Sequence, residues 1–334
     1  MASISGTWTE LATAEQLQRS SHTVSAVGSV LYVFGGELKP RQPRDDDLHV
    51  VSVDDRMDEP TAKVASHQYQ DGPSPRVGSA STTLNGKVYL FSGRGGEAMA
   101  PVDEEGHLWE LEPSTNSWTA LAPTSDAYPA ARSYHAMTSD GKDTIYLHAG
   151  CPEKGRLGDL WTFSVTTKEW QERKGAPEPQ RGGTSIAFAN GKLYRLGGFD
   201  GTTEQGGAVD VYDPEKDGWS TVRYDADGEA GPGARSVAAL LPISINDEQH
   251  LVSMFGESDP SSLGHQGAGK MMGDSWAWSL EGKAWKRIDA SKSPPPRGWF
   301  DADVVTIGGK QCIAVVGGLA DSNERLSDLW LLGF

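Results

Sequence analysis

Cysteine is scarce in this chain, with two among 334 residues, Cys151 and Cys312. A scaffold stapled by disulfides is not expected. Long apolar runs are missing as well, and none approaches the ~18 residues of a membrane-crossing helix. The first residues, MASISGTWTE, have neither a basic region nor an apolar core, so no signal peptide is expected and the chain reads as cytoplasmic. Basic residues are outnumbered, 30 Lys and Arg against 46 Asp and Glu, for a formal net charge of −16. That balance argues against a nucleic-acid or anionic-membrane partner, which needs a basic face. Helical signals are nearly absent. In their place stand 40 glycines, 11 tryptophans and many short β-rich runs separated by Gly, Pro, Asp and Ser clusters, the pattern of many short strands joined by turns.

Those runs repeat. LYVFGG (31–36), VYLFSG (88–93), IYLHAG (145–150), LYRLGG (193–198), LVSMFG (251–256) and IAVVGG (313–318) are six versions of one strand with a small-residue ending. Each follows a strand of small and β-branched residues. Each precedes a gap and a third strand: DDLHVVSV (46–53), HLWELEP (107–113), DLWTFSV (159–165), AVDVYDP (208–214), DSWAWSL (274–280) and SDLWLLG (327–333). A fourth strand carries a tryptophan in NSWTAL (116–121), KEWQER (168–173), DGWSTV (217–222) and KAWKRI (283–288). Four strands in roughly 50 residues is the kelch signature of a β-propeller. The fold class is therefore all-β, a six-bladed kelch β-propeller forming a single domain over residues 1–334. The fourth-strand tryptophan is expected to bury its ring against the next blade. Blade 1 has no tryptophan near 57–66, so its outer strand is expected to be the weakest edge. The last blade has no fourth strand of its own. GTWTEL (6–11) fits that pattern and is expected to complete blade 6, removing two open sheet edges.

The turns between first and second strands are short hairpin sequences, VGS (27–29), NGK (85–87), NGK (190–192) and GGK (308–310). The loops between second and third strands are longer and more polar, so they mark the functional face. An arginine precedes every first strand on that face: Arg19, Arg76, Arg132, Arg181, Arg235 and Arg297. One reading makes them braces that hydrogen-bond loop carbonyls. The other makes them a positive well for an anionic ligand. The longest of these loops, FGESDPSSLGHQGAG (255–269), gathers Glu257, Asp259, Ser261 and His265 beside permissive glycines. Carboxylates with an imidazole suit a divalent metal such as Fe(II) or Mn(II). A solvated loop whose carboxylates cap turns is the alternative.

Specific words go further than the general repeat. SHTVSAVGSVLYVFGGELKPRQPRDDDLHV (21–50), RSYHAM (132–137), RLGDLW (156–161), RGGTS (181–185), HQGAG (265–269), RGWF (297–300) and GGLADSNERLSDLW (317–330) resemble the plant specifier proteins. These are the nitrile-specifier, epithiospecifier and thiocyanate-forming proteins, and the likeness covers nearly the whole chain. The resemblance implies a six-bladed propeller with non-haem Fe(II) as cofactor. It also implies action on the aglucone that a thioglucosidase releases from glucosinolates, with sulfate loss steered towards nitrile-type products. The family's iron set, spaced E-x3-D-x3-H, places Glu257 at its Glu and His265 at its His. The middle position is Ser261 where the family has Asp, and Asp259 is the nearby carboxylate. The family's substrate-contacting positions correspond to Glu37, Arg94, Arg156 and Trp299. On this resemblance Fe(II) is a Lewis acid or one-electron donor to a thiolate sulfur. The arginines hold the departing anion, and Trp299 covers an apolar side chain.

Other candidates read as structural. His22 and His135 each follow a repeat arginine by three residues and are expected to be packed strand histidines. His49, His67, His107, His148 and His250 show no partner pattern. Cys151 and Cys312 fall in blades 3 and 6, too far apart to pair. The acidic runs at 45–47 and 102–105 read as solvated loop charges. The rival to a catalyst is a kelch module that binds a protein and does no chemistry.

Overall fold

Alternating apolar residues and left-handed turns give short antiparallel strands throughout. The computed structural model describes residues 3–54 and 60–334, without the side chain of His265. Its main strands sort into six four-stranded antiparallel units. Blade 1 is Ser20–Val27, Val30–Lys39, Leu48–Val53 and Ala62–His67. Blade 2 is Ala80–Leu84, Lys87–Phe91, Leu108–Glu112 and Ser117–Leu121. Blade 3 is Ala136–Ser139, Thr144–Gly150, Leu157–Ser164 and Glu169–Arg173. Blade 4 is Ser185–Ala189, Lys192–Leu196, Ala208–Asp213 and Gly218–Arg223. Blade 5 is Ala239–Ile245, Glu248–Met254, Ser275–Ser279 and Trp285–Ala290. Blade 6 is Asp301–Ile307, Lys310–Val316, Asp328–Gly333 and the N-terminal strand Ile4–Thr13.

The ring closes as the sequence predicts. Residues Thr7 to Thr13 pair antiparallel with the strand Asp328–Gly333. The same N-terminal strand then reaches backwards, and Ile4, Ser5 and Gly6 pair in parallel with Ile288, Asp289 and Ala290 of blade 5. Blades 5 and 6 thereby share one continuous sheet. The blade 1 outer strand lacks a tryptophan but makes all six pairs, from Leu48 with His67 to Val53 with Ala62.

The core lies between blades rather than within them. Each of six apolar clusters joins two neighbours around the ring. The fourth-strand tryptophans contribute to this packing, but against the preceding blade rather than the next. Trp118 meets Phe34, Trp170 meets Phe91, Trp285 meets Tyr224 and Trp8 meets Phe255, with ring centroids 5.6–5.7 Å apart. The sheet twist tilts each outer strand back over the blade before it.

The small-residue ending of each second strand has a steric cause. Its last glycine (Gly36, Gly93, Gly150, Gly198, Gly256, Gly318) has φ between 86° and 112°, a region open to glycine. A Cβ there would come within 2.9 Å of the residue three after the repeat arginine; in blade 3 it would lie 2.8 Å from the Cβ of His135. The position before it is left-handed too, but accepts Gly, Ser, Ala or Phe. This is why FGG, FSG, HAG and MFG all occur. His22 and His135 are buried against these glycines, as expected of packed strand residues.

Candidate functional site

The repeat arginines organise the functional face. In all six blades the second residue after the arginine has positive φ: Ser21, Gly78, Tyr134, Gly183, Val237 and Trp299, from 45° to 62°. Only two are glycines, so the others are held in a conformation that L side chains disfavour. A closed circle of backbone hydrogen bonds holds them. Each N–H donates to the corresponding carbonyl of the preceding blade, and Ser21 N–H donates to Trp299 to complete the ring, at 2.7–3.3 Å. Two large side chains, Tyr134 and Trp299, stand on this circle. Their rings meet edge to face, with centroids 5.2 Å apart. The glycine at 78 leaves room for the Tyr134 ring, and the glycine at 183 leaves room for Val237.

The arginines themselves are braces. All six are buried, and each donates a guanidinium N–H to a carbonyl at the end of the second strand. Five also make paired bonds to a carboxylate: Arg19 to Asp45, Arg76 to Glu104, Arg132 to Asp159, Arg235 to Asp274 and Arg297 to Asp328. Of the two readings of these arginines, the brace is the one the contacts bear out: five of the six have their charge neutralised inside the loops and form no positive well. One expectation is corrected. Asp45 and Glu104 are not solvated charges, because each meets a buried guanidinium that would otherwise be stranded. Arg19 and His49 together hold the Asp45 carboxyl at about 2. Arg181 is the exception. It donates to the carbonyls of Pro179 and Gly197, with no carboxylate partner among the described residues. Burial, with Arg195 nearby, pulls it down to about 10.

Two cavities open on this face, sharing a wall of Tyr134, Cys151, Arg156, Gly267 and Trp299. The first, about 210 Å³, gathers Glu37, Arg94, Arg156 and Trp299, all four predicted contact residues, and adds Arg325. Glu37 is buried and accepts from Arg325 Nη2 at 2.9 Å and from the Arg41 N–H at 2.6 Å. Its burial raises the carboxyl above the usual range. Arg94 donates to Ser133 Oγ and to the carbonyls of Met99 and Pro152, at 3.0–3.2 Å. Arg156 donates to the Gly155 carbonyl, and its guanidinium lies 5.9 Å from the Phe199 ring centroid. Its Nε is buried with no hydrogen-bond partner among the described residues. Among the described residues, neither Arg94 nor Arg156 has a carboxylate partner.

The second cavity, about 220 Å³, is lined by Phe199, Glu204, Ser236, Val237, Glu257, Pro260 and Ser261 beside the shared wall. Glu257 begins a two-residue ribbon in which it pairs with Met271. Its carboxylate accepts from Gly269 N–H at 2.6 Å and from Trp299 Nε1 at 3.1 Å. Burial raises its proton affinity. Ser261 Oγ accepts from Leu263 N–H at 3.2 Å. Asp259 is exposed, with φ of 50°, and lines neither cavity. The His265 side chain lies outside the described residues. Among those residues, no three of His, Cys, Asp and Glu are grouped to hold a metal ion. The buried Glu257 carboxylate and the Ser261 hydroxyl are oxygen donors on one wall. They fit part of a divalent-cation set, and a further donor is required.

Four lining residues were missed in the sequence. Tyr134 had a signal, because it follows its arginine by the same two residues as Trp299. Cys151 had one too, because it follows the last glycine of its strand as Glu37, Arg94 and Glu257 follow theirs. Arg325 and Glu204 lie on loops outside the repeat pattern. Glu204 stands out. Its Oε1 is buried and has no hydrogen-bond partner among the described residues. Burial, reinforced by the negative charges of Glu257 and Asp259, pushes its carboxyl up to about 7.

Comparison with known proteins places this geometry. N-(sulfonatooxy)prop-2-enimidothioate sulfolyase from Thlaspi arvense is 26% identical over 338 residues, covering 93% of this chain and 91% of that protein. Kelch domain-containing protein 2 from Bos taurus is 30% identical over 129 residues, which is 38% of this chain and 30% of that protein. The solved structure of YjhT superposes with a TM-score of 0.70 at 15% identity, covering 96% of both chains, and so shares the fold. Residues 21–256 match the KLHDC2/KLHL20/DRC7 Kelch-repeats domain. The chain therefore belongs to the kelch-repeat family and is a β-propeller.

Proposed function

We propose that this chain takes a small organic anion into the axial cavity and acts on it as a specifier-like, Fe(II)-dependent catalyst. The observation that carries this reading is the pair Arg94 and Arg156, which line one cavity with no carboxylate partner among the described residues. In a chain of net charge −16, two uncompensated guanidinia beside a cavity favour an anionic ligand. The similar protein from Thlaspi arvense is named as a sulfolyase of an N-(sulfonatooxy)enimidothioate. A leaving sulfate gains charge as its bond breaks, and preoriented N–H donors stabilise that charge. Arg94 is preoriented by three hydrogen bonds. Glu37 is fixed by Arg325 and the Arg41 N–H and can accept from a ligand N–H or S–H. Tyr134 and Trp299 form the wall that excludes water from an apolar side chain. In this reading Fe(II) is held by Glu257 and His265 with Ser261 or Asp259. When bound it supplies a Lewis acid or a single electron to the substrate sulfur. The substrate is of the glucosinolate-aglucone type, supplied by a thioglucosidase.

The test is a product assay. The protein is incubated anaerobically with a glucosinolate and a thioglucosidase, with and without Fe(II), and nitrile is quantified against isothiocyanate. Nitrile beyond the iron-only control, lost in Arg94→Ala, is the expected result. Isothiocyanate alone refutes the catalytic reading. It would then favour a non-catalytic kelch interaction module, for which the exposed tip of the 255–269 loop, Leu263 at 69% exposure, is the supporting observation.

A further inference from the structure

The two cavities differ in charge although they share a wall. The first carries Arg41, Arg94, Arg156 and Arg325 against Glu37 and Glu153, with Glu37 engaged by Arg325. The second carries Glu204 and Glu257, with Arg156 of the shared wall as its cation. Glu257 has both carboxylate oxygens engaged, by Gly269 and Trp299. Glu204 does not: its Oε1 is buried against the cavity with no hydrogen-bond partner among the described residues. A buried acceptor left unmatched is costly, and native sites that retain one commonly meet a donor from outside the chain. Apart from Cys151, Ser236 and Ser261, the rest of the second cavity is apolar, aromatic or glycine, with Phe199, Val237, Pro260, Tyr134 and Trp299. It suits the part of a ligand beyond its anionic head, which is held by the arginines.

We propose that Glu204 is a specificity-determining residue that reads a hydrogen-bond donor, a hydroxyl or an amine, at the tail end of the anionic ligand. The inference rests on the proposed anion site and adds to it the class of side chain. The head lies by Arg94 and Arg156, the chain runs past Trp299 and Tyr134, and the tip donates to Glu204 Oε1. A purely hydrocarbon tail fills the same volume but leaves that oxygen unmatched. A site built around a buried acceptor discriminates strongly against an analogue that lacks the donor.

The test uses sulfonates of matched size, 3-hydroxypropane-1-sulfonate, 3-aminopropane-1-sulfonate and butane-1-sulfonate, titrated calorimetrically into the full chain. The wild type should bind at least one donor-bearing sulfonate about tenfold or more tightly than butane-1-sulfonate. Glu204→Leu should reverse that order, weakening the donor-bearing probe and tightening the alkyl one. A merely structural role for Glu204 would move both in the same direction, and that outcome overturns the proposal. Equal affinities in the wild type also overturn it while leaving the anion site standing. Failure of all three probes to bind removes both. Glu204→Gln, which keeps the shape and an acceptor oxygen, serves as the folded control and should retain the preference for the hydroxyl probe.

Discussion

Replacing Ala208 with Asp should give blade 4 the carboxylate that its arginine lacks. Asp159, Asp274 and Asp328 each lie four residues before Phe163, Trp278 and Leu332, which pair with Ile145, Leu251 and Ile313. In blade 4 the corresponding pair is Leu193 with Tyr212, so the matching position is Ala208. The three aspartates each bond their arginine through both oxygens at 2.6–2.9 Å. Arg181 is 7% exposed and bonds only carbonyls among the described residues. Hydrogen bonds between a carboxylate and a buried guanidinium contribute about 1.5–3 kcal/mol. Asp210, two residues further along the same strand face, takes back about 1 kcal/mol by repulsion even though Arg195 engages it. The net gain is about 0.5–2 kcal/mol. At about 2.1 cal/mol/K per residue, 334 residues unfold with an entropy of about 0.7 kcal/mol/K, so Tm should rise by about 1–3 °C. The converse change, Asp159→Ala, strands the buried Arg132 and should cost about 3–5 kcal/mol, or about 4–7 °C. Thermal melts and urea midpoints of both variants check this. If Ala208→Asp destabilises while Asp159→Ala behaves as stated, Arg181 is not an unmet partner and the brace argument is wrong for blade 4.

Two further perturbations follow from the same geometry. Gly150→Ala places a Cβ 2.8 Å from His135 Cβ and 2.9 Å from the Ser133 carbonyl at φ of 100°, and should cost about 2–4 kcal/mol. Gly86→Ala, left-handed but with nothing within 4 Å, should cost about 1 kcal/mol; equal losses in urea titrations would refute the steric account. Asp301 and Asp303 line the central channel and accept the Val24 and Ala26 N–H groups across the junction of blades 6 and 1, at 2.6 and 2.7 Å. Burial raises them to about 7 and 6, above an unfolded value near 3.8. The folded state therefore binds more protons than the unfolded state between about pH 4 and 7, and their contribution falls as pH rises through that window. Asp301→Asn/Asp303→Asn should flatten the pH dependence of the urea midpoint between pH 5 and 7.5; an unchanged slope would show that these carboxyls do not cause it.

The propeller was legible because its signals repeat. One Gly-ended strand appears six times, and its last glycine is fixed by contact with the start of its own blade's first strand. The closing strand was legible because GTWTEL carries the tryptophan of a fourth strand. Glu37, Arg94, Arg156 and Trp299, the contact residues expected from resemblance to specific words, are brought by the fold to one cavity. What stayed hidden was pairing across loops. Asp45 and Glu104 lie in acidic runs that look solvated, and only the loop path delivers each to its arginine. Glu204 looks like an ordinary turn acid in FDGTTEQGG, because burial of one oxygen is a property of the assembled cavity. The direction of tryptophan packing depends on sheet twist, which periodicity does not record.

The central claim is an anion held by Arg94 and Arg156 in the first cavity. The most direct measurement is calorimetric titration of 3-hydroxypropane-1-sulfonate, 3-aminopropane-1-sulfonate and butane-1-sulfonate into the wild type and into Arg94→Ala/Arg156→Ala at low and high salt. The expected result is one saturable, salt-sensitive site per chain for at least one of the three, abolished by the double substitution while Tm stays within a few degrees. Binding of none of them to the wild type, or binding that survives loss of both guanidinia, would contradict it.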